Sequence, residues 1–479
     1  MGCLHVQQKP KREIYGGILR FSASRFHSLQ FSPGPKPSIP PFSSAQPSAG
    51  TAIHPLSSKF AAASSKMMDG DMSDDGEIYI HDADTIHEIT LDDEDLPDVN
   101  DEDDEQADFD EDLDDSMHTF TGHTSELYAV ACSPTDPLLV ATGGGDDRGF
   151  LWKIGQGDWA AEMGGHKDTV TSLAFSSDGQ FLASGGLDSV VNVWDTSGNH
   201  KCTLEGPAVS EQTEEHADGF EWVRWHPRGH LVLAGSNDGT AWMWNADRGA
   251  VLQVFPGHSK PVTCGDFTPD GKTVCTGSDD MSLRIWNPRT GESVYVIKVR
   301  HFFDLTSKNS LLLGHPYHTA RLNCLAISSD STLVLTGSED GSVKIVNIVT
   351  GKVVSTLSRH TDSVSCIALS RSSSFPWAAT GGRDQQLVIW DLERSDARNI
   401  CNHESEVTCL TWIGMTRYVA AGCGDGDVVI WDGRSGDKVK TFKGHSSCVQ
   451  SLAVSSNHDF LATASDDGTA RIFEIGEFK

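Results

Sequence analysis

Apolar and polar positions recur in eight similar units through residues 117–479, with 28 to 30 positions between the first and last marker residue of a unit. Each of eight units begins with a histidine and closes with an aromatic or apolar residue, and an aspartate stands six residues before the closing residue. The unit histidines are His123, His166, His216, His258, His318, His360, His403 and His445. The aspartates are Asp146, Asp188, Asp238, Asp280, Asp340, Asp384, Asp425 and Asp467. Eight units with one internal spacing predict a repeat architecture.

Within a unit the apolar residues alternate as they do in short strands. Val170–Phe175, the polar turn Ser177–Gly179 and Phe181–Ser184 predict a hairpin. Val190–Trp194 and Lys201–Leu204 predict a third and a fourth strand. Each unit is therefore expected to form a four-stranded antiparallel sheet.

The units resemble the WD repeat. Trp-Asp stands at 194–195, 390–391 and 431–432, and Gly-His stands at 122–123, 165–166, 257–258 and 444–445. The resemblance implies an all-β fold, an eight-bladed WD-repeat β-propeller over residues 117–479. Only six residues follow Phe473, too few for a fourth strand. We expect Met117–Phe120 to supply that strand and close the ring.

In WD blades the unit His, the turn Asp, a strand hydroxyl and the closing Trp form a hydrogen-bonded chain. The resemblance assigns this structural role to His166, Ser184, Asp188 and Trp194, to His258, Thr276, Asp280 and Trp286, and to His360, Thr380, Asp384 and Trp390. Blades three and seven have Ala234 and Ala421 in place of the hydroxyl, and blades five and eight close with Val346 and Phe473. Their networks are expected to be incomplete. Because the pattern repeats in register, these His–Asp pairs are interpreted as structural rather than catalytic.

Other candidate chemistry is weak. Gly265–Thr273 superficially resembles a phosphate loop, but its glycine spacing is wrong and it occupies the position of a hairpin turn. Cysteines at the same position of four units, six residues after the His, predict small buried residues; they are Cys264, Cys324, Cys366 and Cys409. Cys401 and His403 alone are poor evidence for a metal. We predict a protein that is not an enzyme and has no catalytic, cofactor or metal site.

Charge divides the chain into three parts. The whole carries 37 Lys and Arg against 68 Asp and Glu, a net charge of −31, which argues against binding to a nucleic-acid backbone. Residues 1–66 are basic and rich in Ser and Pro, whereas residues 67–116 are acidic without a Lys or Arg. Both parts are expected to be disordered. No apolar run approaches the length of a membrane span.

Two interpretations remain open for each N-terminal part. Residues 1–66 are either an organelle transit peptide, which implies a plastid or mitochondrion, or lie before a true start at Met67 or Met68. The second interpretation favours a cytoplasmic protein that also enters the nucleus. Residues 67–116 are either a solubilising tail or an arm that neutralises a basic protein.

Departures from the repeat are the better candidates for function. Insertions at Glu205–Glu215 and Val299–Tyr317 both precede a unit His and are expected on one face of the propeller, the top. Trp222 stands where the other blades have a small residue. It either fills a locally repacked core or anchors a bound peptide.

A mainly acidic rim is predicted around the channel on the top face. It is built from positions two residues after each unit His, or three in the case of Arg321, and one residue before each turn Asp. With Trp222, the predicted protein-binding residues are Asp168, Asp218, Asp279, Glu339, Asp362 and Asp466, and the basic minority is Lys260, Arg321 and Arg383.

The segment Phe220–Trp244 carries a closer resemblance, to the angio-associated migratory cell protein family. Its characteristic residues are Glu221-Trp222, Trp225-His226-Pro227 and Trp242-Met243-Trp244. The family includes fungal chaperones of a new ribosomal protein and animal proteins associated with cell migration. The resemblance implies a monomeric protein-binding scaffold that holds a basic ribosomal protein. The alternatives are a scaffold in signalling or cell migration and a substrate receptor of a cullin-type ubiquitin ligase. Trp431-Asp432-Gly433-Arg434 resembles the box of such receptors.

Overall fold

A computed structural model describes residues 13–15, 18–20, 114–157, 160–206, 219–299, 317–372 and 374–479. Most of the predicted leader, the acidic arm up to residue 113 and most of both insertions lie outside the described residues. His216 and Asp218 lie outside them as well. None of the described residues belongs to a helix with the length and hydropathy needed to span a membrane.

The described residues form 34 strands and one 3₁₀ turn, Gly476–Phe478. Strands β1 (Glu13–Tyr15) and β2 (Ile18–Arg20) pair antiparallel, and β3 is His118–Phe120. Blades one to four contain β4 (Leu127–Cys132), β5 (Leu139–Gly144), β6 (Gly149–Lys153), β7 (Ala160–Met163), β8 (Val170–Phe175), β9 (Phe181–Gly186), β10 (Val190–Asp195), β11 (His200–Glu205), β12 (Phe220–Trp225), β13 (Leu231–Ser236), β14 (Ala241–Asn245), β15 (Ala250–Phe255), β16 (Cys264–Phe267), β17 (Val274–Gly277), β18 (Leu283–Trp286) and β19 (Ser293–Ile297). Blades five to eight contain β20 (Leu322–Ile327), β21 (Leu333–Ser338), β22 (Ser342–Asn347), β23 (Lys352–Ser358), β24 (Val364–Leu369), β25 (Trp377–Gly382), β26 (Gln386–Asp391), β27 (Asp396–Asn402), β28 (Val407–Trp412), β29 (Tyr418–Cys423), β30 (Val428–Asp432), β31 (Lys438–Phe442), β32 (Val449–Val454), β33 (Phe460–Ser465) and β34 (Ala470–Glu474).

The strands from β3 to β34 form eight four-stranded antiparallel sheets, and the prediction of an eight-bladed propeller is confirmed. The polar turns between strands have local causes. In Gly265–Thr273 the hydroxyl of Thr268 donates to Asp270, and Gly271 has φ +72°, a conformation that glycine adopts without strain. This segment is a hairpin turn, as predicted, and not a phosphate loop.

The ring closes through both ends of the propeller. β3 pairs with β34 as the fourth strand of blade eight, with His118 opposite Ile472 and Phe120 opposite Ala470. The Phe120 ring stacks on Trp152 of blade one at a centroid distance of 4.9 Å. The predicted closure by the segment before the first unit is therefore confirmed.

Neighbouring blades are held together by apolar side chains. Between blades two and three, Val191 and Val193 pack with Val223 and Trp244, all nearly inaccessible to solvent. At Gly185 a Cβ atom would lie 2.3 Å from Val223, so the close approach of the two blades requires glycine there. The hydrophobic core is thus a series of layers between blades.

The strand order defines two faces. The innermost strands (β4, β8, β12, β16, β20, β24, β28 and β32) contact one another in sequence around the ring, and β32 contacts β4. We call the end at which these strands begin the top face. The loops with the unit histidines and the turns with the aspartates lie there because adjacent strands are antiparallel. The opposite end is the bottom face.

Candidate functional site

One backbone hydrogen bond organises the top face in every blade. The N–H of the residue before each turn Asp donates to the carbonyl of the residue three after the unit His, at 2.8–3.1 Å. The pairs are Gly145–Glu126, Leu187–Thr169, Asn237–Gly219, Asp279–Pro261, Glu339–Arg321, Arg383–Ser363, Gly424–Glu406 and Asp466–Cys448. The bond holds the two groups of predicted rim positions side by side.

Beneath the rim, side-chain networks fix these loops. In blade four, His258 Nδ1 lies 3.0 Å from Asp280, His258 Nε2 lies 2.8 Å from the Thr276 hydroxyl, and Trp286 Nε1 donates to that hydroxyl at 2.8 Å. Burial of the Asp280 carboxyl opposes ionisation, but hydrogen bonds led by His258 outweigh it and hold the pKa well below its ordinary value.

The same contacts are present in three further blades. His166, Ser184, Asp188 and Trp194 form them in blade two, and His360, Thr380, Asp384 and Trp390 form them in blade six. His123, Asp146, Thr142 and Trp152 form them in blade one. A carboxylate can only accept, so the imidazole donates its Nδ1–H to the aspartate. Its Nε2 then carries no proton and accepts a hydrogen bond from the hydroxyl. This arrangement leaves none of these histidines available as a catalytic base.

Blade five differs from the expectation of an incomplete network. The Tyr317 hydroxyl lies 3.0 Å from the Thr336 hydroxyl, which lies 2.9 Å from His318 Nε2. Tyr317 is buried and supplies the hydrogen bond that a closing Trp makes elsewhere. The signal in the sequence was a tyrosine directly before the unit His, where several other blades have glycine.

Blade seven uses a different arrangement. Trp431 Nε1 donates directly to His403 Nε2 at 3.0 Å, since Ala421 leaves no hydroxyl between them. His403 Nδ1 lies 3.1 Å from Cys423 Sγ. Burial lowers the pKa of His403 to about 4, and burial raises the pKa of the Cys423 thiol. A neutral thiol beside a neutral imidazole is not an activated nucleophile.

The predicted rim acids occupy three environments. Asp362 is exposed, and Asp168 is half-buried. Glu339 is paired with Arg321 at 3.2 Å. The third environment is a groove between blades eight and one, a cavity of about 480 Å³ that Asp466 lines together with Glu126. Burial raises the pKa of Asp466 to about 6, and the charges of Glu126 and Asp467 add to the rise, although Gln450 donates to the carboxylate.

Basic residues on the rim are fewer and mostly paired. Arg321 contacts Glu339, and Arg383 lies 3.4 Å from Glu406. Lys260 is exposed. The described part of the top face therefore presents an excess of carboxylates.

Trp222 does not lie on this rim. Its side chain is 5% exposed, and its Nε1 donates to the Val262 carbonyl at 2.8 Å. The ring fills space left by Gly235 and Gly265, where a Cβ atom would lie within 2.3 Å of it. The indole is part of a repacked core between blades three and four, one of the two predicted alternatives, and it also lines the channel cavity. Its role as a peptide anchor stays a prediction.

The channel holds a cavity of about 380 Å³ just inside the top face. Hydroxyl and amide groups line it beside the four aligned cysteines; examples are Thr171, Asn323, Thr408 and Gln450. Burial raises the pKa of Cys264 and Cys409 to about 12, so these thiols remain protonated. Glu221 also lines the cavity, although it stands outside the positions from which the rim was predicted.

The box at Trp431–Arg434 lies on the bottom face. Trp431 and Asp432 are buried, Arg434 is exposed, and the Arg434 N–H donates to the Asp432 carboxylate at 2.8 Å. Arg417 also contacts that carboxylate at 3.0 Å. Arg434 thus occupies a tight turn and is exposed to solvent.

Comparison with known proteins agrees with this geometry. The WD domain, G-beta repeat model matches residues 114–153, 158–195, 210–245, 249–287, 308–347, 351–391, 396–432 and 436–474. Ribosome assembly protein SQT1 of Saccharomyces cerevisiae is 25% identical over 416 residues, which cover 80% of this chain and 93% of the yeast protein.

A solved structure shares the fold: Chaetomium thermophilum Sqt1 bound to the N-terminus of ribosomal protein L10 has a TM-score of 0.64 at 24% identity. The match covers 76% of this chain and 100% of that one. Angio-associated migratory cell protein of Homo sapiens is 33% identical over 373 residues, covering 75% of this chain and 80% of the human protein. The chain therefore belongs to the WD-repeat family and, within it, to the angio-associated migratory cell protein family.

Proposed function

We propose that this protein is a non-enzymatic scaffold whose top face binds a basic segment of a ribosomal protein before that protein is assembled. The observation that carries the proposal is the excess of carboxylates around an open channel on the top face. WD-repeat propellers are generally protein-interaction scaffolds, and two relatives are named for ribosome assembly or for a complex with L10.

The chemistry of the top face suits such a client. A new ribosomal protein exposes Arg and Lys side chains that later contact RNA, and these residues promote aggregation or indiscriminate RNA binding. Pairs of carboxylates and arginines on the rim fix the positions of those side chains. The exposed Asp362 and the half-buried Asp168 attract a cationic segment. Hydroxyl and amide side chains inside the channel can accept hydrogen bonds from the part of the ribosomal-protein segment that enters the channel.

A chaperone assay tests the function. Purified ribosomal protein L10 from the same organism is diluted to physiological salt, and the fraction that sediments is measured with and without one equivalent of the full chain. We expect the wild type to keep L10 in the supernatant and D168K/E339K/D362K to lose this effect. The control E292K/E393K/D437K adds the same charge at exposed turns of the bottom face and is expected to act like the wild type.

One observation favours a second function, a ubiquitin-ligase receptor: the exposed Arg434 follows a buried Trp-Asp pair on the bottom face. Ala420 and Cys423 depart from the box of such receptors. If this function held, Arg434→Ala would abolish capture of a ligase adaptor from cytosol and leave L10 binding unchanged. We expect no adaptor in the wild-type capture.

A further inference from the structure

A buried carboxyl at the top of the channel has an oxygen without a hydrogen-bond partner among the described residues. Glu221, on β12, is 6% exposed and lines the channel cavity. Its Oε2 accepts no hydrogen bond from any residue in the described part of the chain. An unpaired carboxylate in such surroundings is costly, so the site is built either for a neutral carboxyl or for an incoming cation.

The charges around Glu221 decide its state in the free protein. Burial raises the pKa of Glu221 to about 8, the Asp279 charge adds to the rise, and Arg321 opposes it. Arg321 Nε lies 3.2 Å from Glu339 but makes no hydrogen bond among the described residues, and the guanidinium charge offsets only part of the rise in the Glu221 pKa. Asp279 has a buried Oδ1 that also lacks a hydrogen bond among the described residues. Two carboxyl oxygens in this region are therefore unsatisfied.

Among the described residues, the other elements packed around Glu221 bring no further compensating charge. Strand β8 presents Thr171 and Ser172 to β12, and both are neutral. Strand β16 presents Cys264, whose pKa burial raises to about 12. Lys260 acts on Asp279 from the exposed loop before β16. Further along the channel, Arg224 acts on Asp266, which lies on β16.

We infer that Glu221 receives one cationic side chain, an arginine or a lysine, which a bound protein segment inserts into the top of the channel. This inference rests on the proposed function, since it assigns one contact within the client complex. The cavity has room for such a side chain, and Asn323 and Thr408 supply polar groups along its wall. On insertion the Glu221 proton passes to solvent, and the carboxylate pairs with the cation.

A measurable consequence is linkage between binding and pH. Because free Glu221 is protonated below about pH 8, binding of a cation at pH 7 releases a proton. Affinity therefore rises with pH until the carboxyl is ionised in the free protein. Asp466, with a pKa near 6, is already mostly ionised at pH 7 and contributes little to this release.

The first experiment needs no client. Ligand-observed saturation-transfer NMR follows n-butylguanidinium with the full chain at pH 8.5 and at pH 6.5. We expect a signal at pH 8.5 that weakens at pH 6.5 for the wild type and for the bottom-face control E292Q, and its loss in E221Q. Equal signals from wild type and E221Q, or no signal from the wild type, would overturn the cation site.

The second experiment uses an N-terminal peptide of ribosomal protein L10. Calorimetry at pH 7 in two buffers with different ionisation enthalpies counts released protons, and we expect about 0.9 for the wild type and none for E221Q. The wild-type count requires no variant, so misfolding of E221Q could not hide a failure. Binding without proton release would overturn the inference. No peptide binding, with n-butylguanidinium behaving as expected, would instead overturn L10 as the client.

Discussion

At the scale of single residues, a buried hydroxyl connects the side chains that hold each top-face loop. Thr276 and Thr380 have no solvent exposure, and each bonds both a histidine and a tryptophan. Blade five keeps the hydroxyl, Thr336, but takes its aromatic partner from Tyr317 in the preceding loop. The network thus needs an aromatic donor beside the buried hydroxyl, and that donor can come from more than one sequence position.

Tyr317→Phe tests whether the Tyr317 hydroxyl replaces the hydrogen bond that a closing Trp makes in other blades. Removal of the hydroxyl takes one buried hydrogen bond from Thr336, and we expect the free energy of unfolding to fall by about 0.5–1.5 kcal/mol. Denaturant unfolding measures the change. Tyr295→Phe is the matched control, because the Tyr295 hydroxyl donates to Val349 at an exposed position and should contribute less. Equal effects of the two variants would show that Tyr317 acts only through its ring.

At the scale of elements, turns on the bottom face join blades two and three. His230 lies 2.9 Å from Asp178 of blade two and 2.8 Å from Asp247 of its own blade. The hydrogen bond to Asp178, aided by Asp247, raises the pKa of His230 despite partial burial. The same hydrogen bond lowers the pKa of Asp178 to about 2.

His230→Ala should therefore have a pH-dependent effect. A raised folded-state pKa means that the protonated imidazole stabilises the fold below its ordinary value of 6.5, and that this contribution is lost as pH rises through the folded-state pKa. We expect H230A to lower the melting temperature more at pH 6 than at pH 9. The control H200A removes a histidine bonded to Asn192 and Thr203, both uncharged. A constant difference across pH would contradict the ionic contribution.

The sequence predicted the elements well because the repeat sets them. The strands of blade two begin within a residue of their predicted starts, and β3 takes its predicted place beside β34. Side-chain burial was harder to predict, because it depends on distant neighbours. Trp222 is buried because Gly235 and Gly265, from two different blades, leave room for it. The unpaired oxygen of Glu221 among the described residues likewise depends on β8 and β16, which belong to the two neighbouring blades.

At the scale of the whole molecule, closure of the ring should dominate stability. Deletion of residues 117–121 removes β3, and with it the Phe120 ring that stacks on Trp152. We expect the melting temperature to fall by at least about 5 °C, since loss of one buried Phe costs several kcal/mol. Deletion of residues 1–110 should change it by about 1 °C or less. Equal melting temperatures for the two truncations would contradict closure by β3.

The acidic arm is expected to act together with the top face. Asp114, at its end, pairs with Arg471, and the Asp115 carboxylate accepts from the Lys443 N–H at 2.8 Å beside the loop of His445. We expect deletion of residues 67–113 to slow association with L10 about threefold or more at low salt and to flatten its salt dependence. Dissociation should change little. Stopped-flow rates across salt concentrations test this, with deletion of residues 1–66 as the control. Unchanged association would identify the arm as a solubilising tail.

The affinity of the top face for a basic ribosomal segment tests the central claim most directly. Fluorescence anisotropy of a labelled N-terminal L10 peptide gives the dissociation constant for the wild type, D168K/E339K/D362K and the bottom-face control E292K/E393K/D437K. We predict that the top-face variant weakens binding at least about tenfold, because three attractive contacts become repulsive. The control should stay within about twofold of the wild type. Equal affinities for all three proteins would contradict the account.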